Sequence, residues 1–338
     1  MSELVSTLET ILKIHSPTGY TKEIINYLVD EFKNLPVKIG MTNKGSLLVS
    51  FSDNPELVIA GHIDTLGAMV KEVNTDGTLG ITTLGSYPLN SFEGEYVTVR
   101  NYNGEHYRGT FLLKNPAAHV NKSVSDTKRE LSSMAIRLDE LAETPEKIKR
   151  HNIGTGNFVF YDVRFEHTKS GFIKSRFLDD KACVAVMIEL IKALCKDKYT
   201  GDVAFYFSNY EEVGHGAAVG IPDSIKEMLV LDMAVIGEGC NGKEDAVSIC
   251  PKDSSGPYDF DVTNKLIKIA KQFNINHVID IYPYYGSDGS AALFAGIDVK
   301  VGLIGPGVSA SHGVERTHLN GLINTYNLTY YYILNYNN

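Results

Sequence analysis

An α/β fold, with a mixed central sheet, helices on both faces and a small β-rich insertion, is predicted by three features of this 338-residue chain. Continuous apolar tetrads such as Leu57-Val58-Ile59-Ala60 run straight into glycine, as strands buried on both faces do. After Phe177 such runs alternate with helical stretches, and that alternation implies a sheet covered on each side. Between about Lys71 and Thr168 the segments become short, alternating and rich in turns, which reads as a separate barrel-like module. The α/β domain is therefore expected over 1–70 and 169–338, and the insertion over 71–168.

A helical pattern over 4–32 opens the chain, broken near His15-Ser-Pro-Thr-Gly19 by proline and glycine. A strand over 45–51 follows, then the tetrad ending at Gly61-His62. Turn signals at Asn74-Thr-Asp-Gly77, Glu93-Gly-Glu95, Asn103-Gly104 and Asn115-Pro116 punctuate the insertion. Beyond it come a helix over 181–196, a strand over 203–208, a glycine turn with a short helix, and a strand over 228–235. A helix over 258–273, a strand over 277–282, a helix near Ser290, a strand over 299–304 and a closing helix over 319–334 complete the order.

Composition narrows the function. With 43% hydrophobic and 22% charged residues the chain can bury a large core. A charge of −9, from 32 basic and 41 acidic side chains, disfavours nucleic acid and anionic membrane as partners. The first residues show no signal-peptide pattern, and nowhere do 18 apolar residues run together, so a cytoplasmic enzyme is expected. Cys183, Cys195, Cys240 and Cys250 lack C-x-x-C spacing and read as reduced core thiols.

Ligand-type side chains collect where predicted strands end, which is where open α/β sheets build their sites. His62 and Asp64 follow the first buried strand, Glu211 and Glu212 follow the strand over 203–208, Asp232 sits in Val230-Leu-Asp-Met233, and His318 lies beyond the strand over 299–304. Asp179-Asp180 adds acids at the start of a helix. Buried carboxylates in such number call for positive charge between them. They exceed what one tetrahedral zinc accepts, so two divalent ions fit better, and imidazole nitrogen favours zinc, cobalt or manganese over calcium. A carboxylate that does not ligate can take the proton of an attacking water, and Asp64, two residues beyond His62, could accept the free ring N–H of that imidazole. Glu211 and Glu212 can divide such labour only if the turn at Gly214-His-Gly216 re-aims them.

The series Gly61-His-Ile-Asp64, Leu178-Asp-Asp-Lys-Ala182, Glu211-Glu-Val-Gly214, Leu231-Asp232 and Glu315-Arg-Thr-His318, with the insertion and Ser16-Pro-Thr-Gly19, resembles the tetrahedral (TET-type) aminopeptidases and their glutamyl and deblocking relatives. The resemblance spans nearly the whole chain. It implies that Asp179 bridges two ions, that His62 and Asp232 complete one, that Glu212 and His318 complete the other, and that Glu211 is the general base. It also implies a cis peptide bond at Asp179-Asp180, peptide substrates, and dimers formed through the insertion that assemble into a dodecamer. His312 is a rival to His318, but Arg316 before His318 matches the family better. Many members carry an acid after the H-x-D motif, where this chain has Thr65.

Asp180 could support the ligands or cap its helix, and Asp288, in Tyr285-Gly-Ser-Asp-Gly-Ser290, could face the site but is expected to hold a turn. Two other function classes compete: a deacylase or carboxypeptidase with the same metal logic, and a binding protein that keeps the fold. The long insertion argues against the first, and retention of Glu211 and every expected ligand against the second. A glycosidase would set two carboxyls about 5 to 9.5 Å apart across the bond, whereas these acids converge as ligands do.

Overall fold

The computed structural model describes residues 2–336. The chain forms two compact units, Met1–Thr65 with Arg164–Asn338, and Leu66–Val163. Each boundary lies five residues before the sequence reading, because β4 begins at Gly67 and the apolar run before it looks like more of the first unit.

The first unit opens with α1 (Ser2–Leu12), α2 (Lys22–Phe32), β1 (Lys38–Met41), β2 (Leu47–Ser50) and β3 (Leu57–His62). The second contains β4 (Gly67–Val73), β5 (Leu79–Leu84), β6 (Tyr96–Arg100), β7 (His106–Leu113), β8 (Met134–Leu138), α3 (Pro145–Arg150) and β9 (Phe158–Tyr161). The chain resumes the first unit with β10 (Glu166–His167), β11 (Phe172–Ser175), α4 (Leu178–Lys196), β12 (Val203–Ser208), β13 (Glu227–Leu231) and β14 (Ala234–Ile236). It ends with β15 (Val247–Asp253), β16 (Gly256–Pro257), α5 (Phe260–Gln272), β17 (His277–Ile281), α6 (Asp288–Phe294), β18 (Lys300–Ser309), β19 (Glu315–His318) and α7 (Leu319–Leu334).

The sheet of the first unit is mixed. Its centre is four parallel strands in the order β12-β3-β13-β18, flanked by antiparallel β2 and β1 on one side and by β19, β11 and β10 on the other. Period-2 alternation assigns β3 its two layers. Val58 and Ala60 join a buried cluster containing Ala292 of α6, while a side chain at Gly61 would come within 2.8 Å of Met187 on α4. Helices therefore cover both faces, and the strands between them carry the continuous apolar runs that two-sided burial requires.

The second unit is a closed six-stranded barrel in the order β4-β5-β8-β7-β6-β9. Val97, Val99, Phe111, Ile136 and Val159 fill it and are fully buried. Closure removes the free strand edges that short strands would otherwise leave.

Candidate metal centre

Parallel register brings the first donors together. His62 at the end of β3 pairs with Ser208 at the end of β12, so the turn bearing Glu211 and Glu212 leaves the sheet beside His62 and Asp64. β13 ends at Leu231, and Asp232 follows where the sequence pattern had read one unbroken strand. The Asp179-Asp180 peptide bond at the start of α4 is cis, as the resemblance implied. His312 comes from the turn between β18 and β19, with φ at +61°.

Asp179 is the centre of the arrangement. Its Oδ1 lies 3.1 Å from His62 Nε2, and its Oδ2 lies 3.4 Å from His312 Nε2. His312 Nε2 is also 3.7 Å from Glu212 Oε2, and His62 Nε2 is 3.7 Å from Glu211 Oε2. Donor atoms of His62, Asp180 and Asp232 lie within 4.8 Å of one another, as do those of His62, Asp179 and Glu212. The Glu211–Val213 turn is a single 3-10 turn entered at Tyr210 (φ +71°) and left at Gly214 (φ +85°), and it sends the two glutamates toward different imidazoles. A side chain at Gly216 would meet Asp288 Oδ1 at 1.9 Å, so the end of this loop also requires glycine.

Charge follows burial here. Desolvation pushes the carboxyls of Glu211 and Glu212 well above their usual range, and the neighbouring acids add to it. Burial and the Asp179 charge push Asp232 up to about 8. Asp180 is raised by burial and by Asp232. Burial opposes ionisation of Asp179 too, but hydrogen bonds from His312 and His62 outweigh it and hold this carboxyl well below the ordinary range. Burial likewise opposes the charged form of His62, and the surrounding carboxylates win. Lys181, next along the chain, donates instead to the carbonyls of Ile11 (2.8 Å) and Ile14 (2.5 Å).

The residues fit divalent ions. Both oxygens of fully buried Asp180, and Oε1 of Glu212, have no hydrogen-bond partner, a costly state for buried carboxylates unless a cation serves them. A set of imidazole nitrogens and carboxylate oxygens suits zinc, cobalt or manganese. One carboxylate presenting its two oxygens to two separate imidazoles is the disposition a bridging ligand needs.

Two expectations are corrected. His318 is not in the cluster: it caps α7, its Nδ1 accepting from Asn320 N–H (3.0 Å) and its Nε2 donating to Ser170 O (2.9 Å), which leaves neither nitrogen free to ligate. His312 stands in the cluster instead. Asp64 does not offer its carboxylate to His62; its backbone carbonyl does so at 2.9 Å, while the nearer carboxylate oxygen stands at 3.8 Å. The Asp64 carboxylate accepts from Glu211 N–H (3.1 Å), Glu212 N–H (3.4 Å) and Thr18 Oγ1 (2.6 Å), and so positions the turn that carries both glutamates.

Several supporting residues were read in the sequence only in part or not at all. Thr18 is one, signalled by the Ser16-Pro-Thr-Gly19 motif but without an assigned role. Asp288 accepts from Ser208 Oγ (2.5 Å) and Ala217 N–H (2.9 Å), which closes the far side of the same loop. Glu315 accepts from Asp179 N–H (3.1 Å) and His312 N–H (3.0 Å). Asp180 does not cap α4 through its side chain: the backbone is non-helical at Asp179 and Asp180, the regular helix begins only after them, and neither Asp180 oxygen accepts from it.

The M42 glutamyl aminopeptidase family profile matches residues 45–328. The Bacillus subtilis (strain 168) protein named "Putative aminopeptidase YhfE" is 42% identical over 343 residues, covering 98% of this chain and 99% of that protein. In three dimensions the chain resembles a TET aminopeptidase from the Thaumarchaeota archaeon SCGC AB-539-E09 (TM-score 0.88, 19% identity, 98% of this chain and 96% of that one). It also resembles the Pyrococcus horikoshii TET1 peptidase, which can assemble into a tetrahedron or a large octahedral shell (TM-score 0.87, 22% identity, 98% and 99%).

Proposed function

The chain belongs to the M42 glutamyl aminopeptidase family, a family of metallopeptidases, and on that premise we propose that it removes N-terminal residues from peptides using two divalent ions per subunit. The observation that carries this reading is Asp179, whose two oxygens face His62 and His312 separately, with Glu211 beside the first imidazole. His62, Asp179 and Asp232 would hold one ion, and Asp179, Glu212 and His312 the other, with the contacts of Asp179 to the two imidazoles and of Glu212 to His312 in support. When bound, the ions would polarise the scissile carbonyl and lower the pKa of water. Zinc and cobalt head the candidates and manganese follows.

Glu211 is the general base of this reading. It takes a proton as water adds to the carbonyl carbon, and returns it to the nitrogen as the C–N bond breaks, so the new N-terminus leaves as an amine. Its burial supports the role, because a desolvated carboxyl has the raised proton affinity such a shuttle needs. Asp64 orients Glu211 and Glu212 through their main chain rather than touching substrate.

The same reading includes homo-oligomers, dimers formed through the 66–163 barrel and assembling further to a dodecamer, with the assembly of the Pyrococcus horikoshii relative in support. Light scattering on a sizing column tests this. A cytoplasmic setting also belongs to it, supported by four free cysteines, of which Cys183 and Cys250 are buried. Among the described residues no helix is long and apolar enough to cross a membrane.

The activity is tested with aminoacyl-p-nitroanilides and matching N-acetylated peptides, after chelation and with zinc, cobalt or manganese returned. Metal-dependent cleavage of the free-amine substrates alone is expected, and their relative rates give the preferred side chain. Cleavage of the blocked set would move the assignment to a deacylase, and no turnover despite two bound ions would leave a binding protein.

A further inference from the structure

The ligands of the second ion come from segments far apart in the chain, and a single carboxylate ties two of those segments together. Glu315, the first residue of β19, is buried, with 1% of its surface exposed. Its Oε2 accepts the backbone N–H of Asp179 at 3.1 Å, and its Oε1 accepts the backbone N–H of His312 at 3.0 Å. The β11–β19 ladder pairs Glu315 with Ser175, four residues before Asp179, so the ladder itself delivers the carboxylate to the start of α4. On the other side of the tie, His312 stands in a left-handed turn (φ +61°), a backbone state an L-residue seldom adopts without support. Buried Arg176, one residue past that ladder, donates to the neighbouring carbonyl of Gly313 at 2.9 Å, so the same tip is held by a charge of each sign.

We propose that Glu315 is a positioning residue for the second ion: it fixes the separation of Asp179 and His312, and so sets how tightly the Asp179–Glu212–His312 half of the centre binds metal. The inference rests on the metallo-aminopeptidase reading. A carboxylate can serve two N–H donors at once. An amide in its place has one accepting oxygen and turns an NH₂ toward the other donor, so Glu315→Gln breaks one of the two ties while keeping the size of the side chain. Losing a partner of this kind typically costs about 10–100-fold in metal affinity.

The test is a competition titration of chelated protein with cobalt, followed by the visible spectrum of the bound ion as well as by turnover. Wild-type protein binds two ions. In Glu315→Gln the weaker-binding step is expected to shift by about 10–100-fold while the tighter step holds, and saturating metal should restore most of kcat. On a His312→Ala background the same substitution should add nothing to the loss, because its effect runs through that imidazole. Glu315→Asp, too short to reach both N–H groups, gives a second reading if the amide variant does not fold. Two unchanged binding steps in either variant, or equal weakening of both steps together with a fall in Tm that metal does not repair, would overturn the inference and leave the function intact. A wild-type protein that binds no ion would remove the function along with it.

Discussion

Replacing His312 and His318 by alanine, one at a time, tests the centre most directly, because the two side chains lie six residues apart and have opposite surroundings. His318 makes two hydrogen bonds, to Ser170 O and from Asn320 N–H, and its ring meets the edge of Phe172 with centroids 5.0 Å apart. Each hydrogen bond contributes about 0.5–1.5 kcal/mol net, and loss of a helix cap typically costs about 1 kcal/mol. His318→Ala should therefore destabilise the protein by roughly 1–3 kcal/mol, which lowers Tm by several degrees at about 2–4 °C per kcal/mol. Metal content should not change. His312→Ala removes a nitrogen 3.4 Å from Asp179 and 3.7 Å from Glu212 while touching no helix end. It should lose one of two ions, with affinity falling by more than the about 10–100-fold typical of an outer partner. Metal per subunit after dialysis against excess chelator and reloading, read beside a thermal melt, separates the two. If His318→Ala loses an ion while His312→Ala keeps both, the assignment drawn from the geometry is wrong.

Glu211→Gln should keep two ions and lower kcat by about 10²–10⁴, whereas Asp179→Asn should release metal, and equal metal loss in both would collapse the division between base and ligand. Asp64→Asn keeps one acceptor for the three donors that Asp64 now serves, so metal binding should weaken and kcat should stay low even at the excess metal that refills the centre; unchanged kinetics would show that the turn holds itself. The metal-free protein should lose stability as pH rises. The Asp232 and Glu315 carboxyls are pushed up to about 8 by burial and by Asp179, against about 4 when unfolded, so their contribution is complete below pH about 4 and gone above about 8. Raised His62 acts in the same direction, while lowered Asp179 is ionised in both states across this window and adds no slope. Melts with chelator from pH 5 to about 8.5 should show that fall, and the gain in Tm on adding zinc should widen with pH; a gain that narrows would contradict the acid count of the centre.

Much of this centre was legible because a buried parallel strand announces its own end. The Leu57–His62 and Val203–Ser208 runs are apolar throughout, so His62, Glu211 and Glu212 stand out where each run stops, and the register between the two strands makes them neighbours. Asp179 was legible instead as an acid at the start of a helix, and Asp232 stood in a run read as one strand, whose break after Leu231 only the structure reveals. His312 was legible only as a rival to His318, since it leaves from a tight turn in which Ala310 and His312 both have positive φ, and no apolar period marks such a place. The short pairings of β10, β11 and β19 carry too few residues for alternation to be read, and they are what moves His318 away and brings Glu315 in. Strand β1 was missed because all four of its residues are exposed and only its ladder to β2 makes it a strand.

Counting acids near strand ends also overstates the number of ligands, and the structure gives a physical rule for sorting them. Asp64, Asp288 and Glu315 are as buried as Asp180, yet each has both carboxylate oxygens taken by N–H or O–H donors of the protein. A carboxylate satisfied in that way needs no cation to occupy its oxygens and serves to hold the main chain that donates to it. Asp180 and one oxygen of Glu212 have no such donors, while Asp179 has only imidazoles at its oxygens and Asp232 is pressed against its charge. Asp180, Glu212 and Asp232 are thus the groups whose ionised form calls for a metal, and Asp179 is the one the imidazoles already hold ionised. Substitution should divide along the same line. Removing a satisfied acid should weaken metal binding through displaced ligands, and excess metal should recover it, whereas removing an unsatisfied ligand should abolish a binding step that no concentration restores. Asp180 is the discriminating case, being unsatisfied although the proposed ligand set does not include it. If Asp180→Asn loses an ion outright rather than binding it more weakly, His62 and Asp232 share their ion with a further oxygen, and the first site must be redrawn around it.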